Sequence, residues 1–168
     1  MSGHSRWSQI RRQKESTDQK RGQVFSKLSK AITLAARQGT DPKTNTALAN
    51  AIGQARSMNM PNDNIERAIK KVSEKGTTQL EEIVVEAIGP GGVALRIKSV
   101  TDNKNRTISE IKKVLSDNEA KMVPPGSIGW MFNTPVQANE EIQQKLDELF
   151  EALDDNDDVS DVDSNLKS

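Results

Sequence analysis

The sequence contains no cysteine and no tyrosine, and aromatic residues make up only 3% of its 168 positions. Without cysteine the chain forms no disulfide, no thiolate metal site and no thiol nucleophile. The scarcity of aromatic residues and the 33% hydrophobic content predict a small aliphatic core. No apolar run approaches the ~20 residues that span a bilayer, and the N-terminus lacks the apolar centre of a signal peptide. We therefore expect a cytoplasmic protein with no membrane partner.

Residues suited to catalysis are also few. His4 is the only histidine, so a His-based dyad or triad would depend on one residue near the N-terminus. The glycine-rich segment 89–92 lacks the Lys-Ser/Thr of a phosphate-binding loop, and a turn between two strands explains it. The acidic run 154–158 lacks the spacing of a calcium loop, which favours a solvated acidic turn. The sequence predicts no enzyme, no catalytic residue, no metal site and no cofactor.

The net charge of zero hides a strong asymmetry along the chain. Residues 1–75 contain fifteen Lys and Arg against six Asp and Glu, a net charge of +9. Residues 134–168 contain two Lys and eleven Asp and Glu, a net charge of −9. This asymmetry has two interpretations. It can orient the protein on a polyanion, or the acidic C-terminal segment can fold back and compete for the basic face.

The positive charge is concentrated between Gly3 and Arg37, where nine Lys and Arg face two acidic residues. Residues 3–16 show no apolar period and are interpreted as a basic arm. From about Asp18, apolar residues recur at helical spacing, and the basic residues of this helix fall on the opposite arc. That arc, predicted to face solvent, consists of Lys20, Lys27, Lys30 and Arg37. A solvated face is the alternative, but the continuous basic arm favours nucleic-acid binding.

Trp7, within the basic arm, has two interpretations of equal weight. It can stack on a base, as aromatic residues among Arg and Lys do in single-strand and RNA-binding proteins. It can instead anchor the arm to the helical part of the protein.

Two more amphipathic helices follow and, with the first, predict a three-helix bundle over residues 1–76. The candidate N-terminal capping residues are Thr44 or Asn45 for the second helix and Asn62 and Asp63, next to Pro61, for the third.

The second half of the chain, residues 77–168, has strand character and predicts an α/β sandwich domain. Two strands flank the turn at 89–92, and their residues alternate between apolar and charged. The predicted elements are strands at 82–88 and 93–100, a helix at 105–117, a strand at 127–132, a helix at 139–153 and a short strand around Val159 and Val162. The fold class is therefore α+β, with helices on one face of a mainly antiparallel sheet.

Four motifs resemble the YebC/PmpR family, which includes the mitochondrial translational activator of cytochrome oxidase subunit one. They read GHSRWSQIRRQK, DQKRGQVFSKLSKAI, NMPNDNIERAIKK and EAIGPGGVALRIKSVTDNKNRT, and they cover most of residues 3–132 in order. The resemblance implies an N-terminal three-helix domain followed by α/β domains. It also implies a DNA-binding transcriptional regulator, or a ribosome-associated translation factor that relieves stalling near the peptidyl-transferase centre. The matching positions of the basic motif are His4, Ser5, Trp7, Arg11, Arg12, Lys14, Lys20 and Arg21, with Lys27 in the first helix.

The chain departs from the family pattern after Phe132. Family members usually carry another α/β domain between this point and the acidic last helix, whereas residues 133–137 join the two directly here. We interpret the chain as a short form that lacks the inserted third domain, and we favour a monomer.

These observations predict a non-enzymatic nucleic-acid-binding regulator of gene expression, with DNA or ribosomal RNA as its partner. The predicted nucleic-acid-binding residues are His4, Ser5, Arg6, Trp7, Arg11, Arg12, Lys14, Lys20, Arg21, Lys27, Lys30, Arg37, Lys70 and Lys71. The alternative is a protein-interaction module that acts through its acidic C-terminal helix and the exposed face of its sheet.

Overall fold

The computed structural model describes residues 18–74 and 79–167 of the chain. We refer to residues 18–74 as the helical half and to residues 79–167 as the α+β half. The helical half contains α1 (Asp18–Ala36), α2 (Thr46–Ser57) and α3 (Asn62–Lys70), and a short 3₁₀ turn, Lys71–Ser73, follows α3. Their apolar faces meet in one cluster of Ile, Leu, Met and Ala side chains, with Ile32, Leu48 and Ala55 among its most buried members. The helical periodicity read from the sequence is confirmed for all three helices.

Asn45 joins the end of α1 to the start of α2. Its side-chain oxygen accepts a hydrogen bond from the Leu48 N–H at 3.1 Å, which caps α2. Its amide nitrogen donates to the carbonyl oxygens of Ala35 and Gly39, both at 2.8 Å. One buried side chain therefore satisfies backbone groups at both helix ends.

The predicted caps of α3 are wrong. Pro61 occupies the N-cap position and makes no side-chain hydrogen bond there, while Asn62 and Asp63 are already helical. Asp63 lies in the first turn, where a carboxylate is favoured by the helix dipole instead.

The α+β half contains a four-stranded antiparallel sheet with two helices. The sheet has the strand order β3-β1-β2-β4, with every pairing antiparallel. The elements in chain order are β1 (Glu81–Ile88), β2 (Ala94–Thr101), α4 (Lys104–Asp117), β3 (Lys121–Val123), α5 (Glu140–Asp154) and β4 (Val159–Ser164). The order of elements matches the prediction, and the α+β class is confirmed.

The turn between β1 and β2 depends on glycine. Gly91 has a φ of +73°, and a Cβ built there would lie 2.7 Å from Ile142 Cγ2 on α5. Gly92 also has a positive φ, +76°, but no atom lies within 4 Å of its hypothetical Cβ. Gly91 is therefore needed for both its backbone conformation and the close approach to α5.

The predicted strand at residues 127–132 is wrong. The third strand is Lys121–Val123 instead, and Gly129–Asn133 forms a 3₁₀ helix. β3 pairs with β1 and ends before Pro124-Pro125, and Gly126, with a φ of +85°, then redirects the chain. The edge of β1 is thus already occupied, and Trp130 is left 69% exposed.

The two helices cover one face of the sheet. Val85 and Ala87 of β1, and Leu95 and Ile97 of β2, pack in one cluster with the apolar sides of α4 and α5. The other face carries Arg96 and Lys98, as their alternation with apolar residues predicted. The clusters of the two halves have no residue in common. The predicted domain boundary at 76/77 lies outside the described residues and stays a prediction.

Candidate nucleic-acid interface

Half of the predicted binding residues belong to the basic arm, which lies outside the described residues. These are His4, Ser5, Arg6, Trp7, Arg11, Arg12 and Lys14. The structure places Lys20, Arg21, Lys27 and Lys30 on α1, Arg37 directly after it, Lys70 at the end of α3 and Lys71 in the 3₁₀ turn that follows.

The lysines of α1 do not face solvent together. We call Lys20, Lys27 and Lys30 the lysine face and residues 154–158, between α5 and β4, the acidic turn. Lys20 Nζ donates a hydrogen bond to the Asp155 carboxylate. Lys27 Nζ lies 3.6 Å from Asp154 Oδ1 and also donates to the Asp154 carbonyl oxygen. The sequence correctly predicted that these lysines share one face of α1, but this face contacts the acidic turn and not solvent alone.

Lys30 and Gln23 complete this contact. Lys30 Nζ lies 3.0 Å from Asp158 Oδ1 and 2.8 Å from the Asp157 carbonyl oxygen. Gln23 Nε2 donates to the Asp155 carbonyl oxygen at 2.8 Å and to Asp157 Oδ1 at 3.1 Å. Each contacting residue follows the previous one by three or four positions along α1, so all of them lie on one helix face.

Burial shows how complete the contact is. The Lys27 side chain is only 6% exposed, and Lys20 and Lys30 are partly covered. The expectation of a solvent-facing basic stripe is therefore wrong for Lys27. The expectation of a solvated acidic turn holds for Asp155 and Asp157, which are exposed, and is wrong for Asp158, which is buried. The fold instead matches the alternative in which the acidic segment folds back onto the basic helix.

Asp158 is held by side chains of three residues. It accepts hydrogen bonds from Lys30, from Arg106 Nη2 at 2.9 Å and from Thr107 Oγ1 at 2.8 Å. Burial by itself raises a carboxyl pKa, but the hydrogen bonds from Lys30, Thr107 and Arg106 outweigh it and lower the pKa of Asp158 below its ordinary value. Asp158 thus joins α1 to the start of α4 as an ionised group.

Lys20 is held in its charged form by the same turn. The hydrogen bond to Asp155 is the largest influence on this lysine and raises its pKa above the ordinary value. Partial burial acts in the opposite direction and is outweighed.

The remaining predicted residues lie at the surface. Arg21, Arg37, Lys70 and Lys71 are exposed, and Arg37 Nη1 donates a hydrogen bond to the Leu80 carbonyl oxygen directly before β1. Lys70 ends α3 and Lys71 follows it in the 3₁₀ turn, where cations also complement the helix dipole.

A groove separates the two halves beside the lysine face. It has a volume of about 1130 Å³ and lies between α1 and α2 on one side and the sheet on the other. Its lining includes Leu28, Ala31, Ala51, Gln54, Lys98 and Asp161. The sequence did not reveal this groove, because its walls come from segments far apart in the chain.

Sequence reasoning also missed Gln23, Arg106 and Thr107 as partners of the acidic turn. The only signal was the match between the +9 charge of the first 75 residues and the −9 charge of the last 35. Within the described residues, no group of His, Asp or Glu side chains is arranged to hold a metal ion. No helix of the same residues is long and apolar enough to cross a bilayer.

Comparison with known proteins gives two family matches and several relatives. The model for the TACO1/YebC protein N-terminal domain matches residues 5–75, and the model for the TACO1/YebC second and third domain matches residues 80–135. A protein of Chlorobaculum parvum named "Probable transcriptional regulatory protein" is 50% identical over 135 residues, which are 79% of this chain and 54% of the relative. A protein of the same name from Natranaerobius thermophilus is 45% identical over 156 residues, which are 88% of this chain and 61% of the relative. The chain thus spans only about half to two thirds of the length of these relatives.

The fold is shared with a solved structure. The crystal structure of the conserved hypothetical protein Aq1575 from Aquifex aeolicus superposes with a TM-score of 0.79 at 28% sequence identity. The superposition covers 89% of this chain and 91% of that chain.

Proposed function

Because the chain belongs to the TACO1/YebC family, we propose that it is a nucleic-acid-binding regulator of gene expression and not an enzyme. The regulatory part is supported by the relatives named probable transcriptional regulatory proteins. We infer nucleic-acid binding from the charge distribution and the geometry of the helical half.

The observation that carries the proposal is the concentration of positive charge in the first 75 residues, at +9 in a chain of zero net charge. Nucleic-acid binding draws on such a surface, because each phosphate that a Lys or Arg neutralises releases counterions. The exposed Arg21, Arg37, Lys70 and Lys71 extend the charge of the basic arm over the helical half. These contacts position a polyanion without reading its sequence.

The polyanion is either duplex DNA or ribosomal RNA. Sequence readout in a DNA major groove needs side chains such as Asn, Gln and Arg presented along one helix. Lys70 ends α3 and Lys71 follows it in the 3₁₀ turn, and these two exposed amino groups are suited to phosphate contacts. An extended basic arm suits structured RNA at least as well as a DNA groove. The charge of this surface therefore favours the hypothesis of a translation factor that binds RNA. The hypothesis of a transcriptional regulator rests on the names of the relatives.

Binding of the purified protein to ribosomes and to duplex DNA, compared over a salt series, tests the proposal. We expect tight binding that weakens steeply as salt rises. A variant lacking residues 1–16 and the variant Lys70→Glu/Lys71→Glu should both bind more weakly. Lys112→Glu/Lys121→Glu is the matched control, since it changes the charge equally at exposed positions of the α+β half. Equal losses in the two double variants would mean that only total charge matters.

Protein–protein interaction is the second candidate. The exposed carboxylates of α5, such as Glu140, Glu141 and Glu148, favour it. If neither ribosomes nor DNA bind at moderate salt, the nucleic-acid proposal is wrong and this candidate replaces it.

A further inference from the structure

We propose that the acidic turn is an intramolecular competitor for the lysine face, and that a polyanion displaces it and separates the two halves of the protein. This inference rests on the proposed function, because a nucleic acid is the polyanion that the lysine face would receive. The protein then has two states. In the closed state the lysine face binds the acidic turn, and in the open state it is available to a polyanion.

The acidic turn presents oxygen ligands of the kind that a phosphate backbone would present. Each lysine of the lysine face forms an ion pair with a carboxylate oxygen: Lys20 with Asp155, Lys27 with Asp154 and Lys30 with Asp158. The three lysines span ten positions, or about 15 Å of helix. A nucleic-acid strand laid along α1 would meet the same amino groups, so the two ligands cannot occupy them together.

The position of the aspartates supports a role in this contact. Asp154 ends α5, and Asp155 caps it, with Asp157 and Asp158 following closely. A helix C-terminus carries partial negative charge and favours cations, so acidic residues are unfavourable there. The compensating cations are the lysines of α1, which come from the other half of the molecule. The aspartates of the acidic turn therefore do not stabilise α5 itself. Their contact with the lysines of α1 explains why they are favourable at this position.

The contact between α1 and the acidic turn consists of charged and polar groups, and the buried Val24 of α1 lies with Val100 of β2 at the groove beside it. Each half has its own apolar cluster, so no continuous apolar core joins the two clusters. The groove of about 1130 Å³ lies next to the contact. Interfaces within a chain that are small and polar permit relative motion, whereas large apolar ones prevent it. Salt and competing ions weaken the half-exposed Lys20–Asp155 pair, whereas the buried Lys27 is screened less.

Separation leaves no buried carboxylate without a partner. Asp158 keeps its hydrogen bonds to Arg106 and Thr107, and its carbonyl oxygen still accepts from the Val100 N–H at 2.9 Å. The acidic turn therefore stays formed on the α+β half when α1 leaves. The released lysines exchange carboxylate oxygens for water or phosphate, so both states satisfy their charged groups.

Polyanion binding to two matched variants tests the competition. Asp154→Asn/Asp155→Asn removes the carboxylates that pair with Lys27 and Lys20. Glu140→Gln/Glu148→Gln removes the same charge from exposed positions of α5 that no lysine of α1 contacts. With a labelled 20-base-pair DNA duplex and with heparin, we expect the aspartate variant to bind about fivefold more tightly than the glutamate variant. Equal affinities of the two variants would overturn the competition.

A distance measurement tests the separation directly. The chain has no cysteine, so Asn62→Cys on α3 and Lys112→Cys on α4 provide two unique and exposed sites for spin labels. Saturating duplex or heparin should lengthen the distance between the labels, and the aspartate substitutions should lengthen it without a ligand.

The outcomes separate this inference from the proposed function. If heparin lengthens the distance but neither ribosomes nor the duplex bind, the displacement stands and the nucleic-acid function fails. If duplex binds and the distance stays constant, the proposed function stands and the displacement is wrong. A distance unchanged by either probe and by the substitutions overturns the inference.

Discussion

Lys30 Nζ lies 3.0 Å from Asp158 Oδ1, and the two residues are 128 positions apart in the sequence. This pair joins the first described helix to the last turn of the fold. Asp158 is also held by Arg106 and Thr107, so one carboxylate links both halves of the protein. The basic helix is consequently part of an internal interface, and its stability and binding properties depend on the same contacts.

Asp158 should contribute stability at neutral pH that acid removes. Its pKa is lowered in the folded protein, so the contribution is complete above the ordinary carboxyl pKa of about 3.9 and decreases as the pH falls from there towards the folded-state value. Asp158→Asn should lower the free energy of unfolding by about 1–3 kcal/mol at neutral pH. Urea unfolding over a pH series should show this difference shrinking in acid. Asp117→Asn, at an exposed surface pair, is the control and should show little difference at any pH.

Loss of Lys27 should destabilise the protein more than loss of an exposed lysine. The Lys27 side chain is buried between α1 and the acidic turn, whereas Lys43 is exposed. Lys27→Ala should lower the free energy of unfolding by about 1–3 kcal/mol, since it removes a covered charge and its packed aliphatic chain. Lys43→Ala should leave it within about 0.5 kcal/mol of the wild type. Chemical denaturation of both variants measures the two free energies of unfolding. Similarly small losses in both variants would show that the Lys27 contact is weak.

Gly91 and Gly92 should respond differently to alanine although both have positive φ. A methyl group at Gly91 collides with Ile142 Cγ2, whereas one at Gly92 meets no atom within 4 Å. Gly92→Ala should cost only the backbone strain, about 1 kcal/mol, and Gly91→Ala about 1–3 kcal/mol more. Thermal unfolding of the two variants measures the difference. Equal melting temperatures would mean that α5 shifts away from the turn at no cost.

Asn45 should be important for the helical half because it satisfies groups at two helix ends. Asn45→Ala removes the hydrogen bond to the Leu48 N–H and leaves the Ala35 and Gly39 carbonyl oxygens without this donor. We expect a loss of about 1–3 kcal/mol in the free energy of unfolding. Asn50→Ala, at an exposed position within α2, should cause no loss. The comparison requires only urea titrations followed by circular dichroism.

Much of the secondary structure could be predicted because it depends on local patterns. The apolar spacing from Val24 to Ala36 located α1, and the alternation around Arg96 and Lys98 located β2 and its open face. The strand predicted at 127–132 failed because its apolar residues do not reveal whether a sheet edge is available. β3 already occupies that edge of β1. The family resemblance, confirmed by both domain models, came from long motifs and did not depend on these details.

The sequence by itself determined which residues share a helix face, where the charge is concentrated and to which family the chain belongs. These properties depend on side-chain chemistry and on spacings of a few residues. Only the tertiary structure decided what the lysine face meets, because helical periodicity assigns a residue to a face but does not identify the surface opposite. The contact between Lys30 and Asp158 exists because the antiparallel sheet and α5 return the end of the chain to its first described helix.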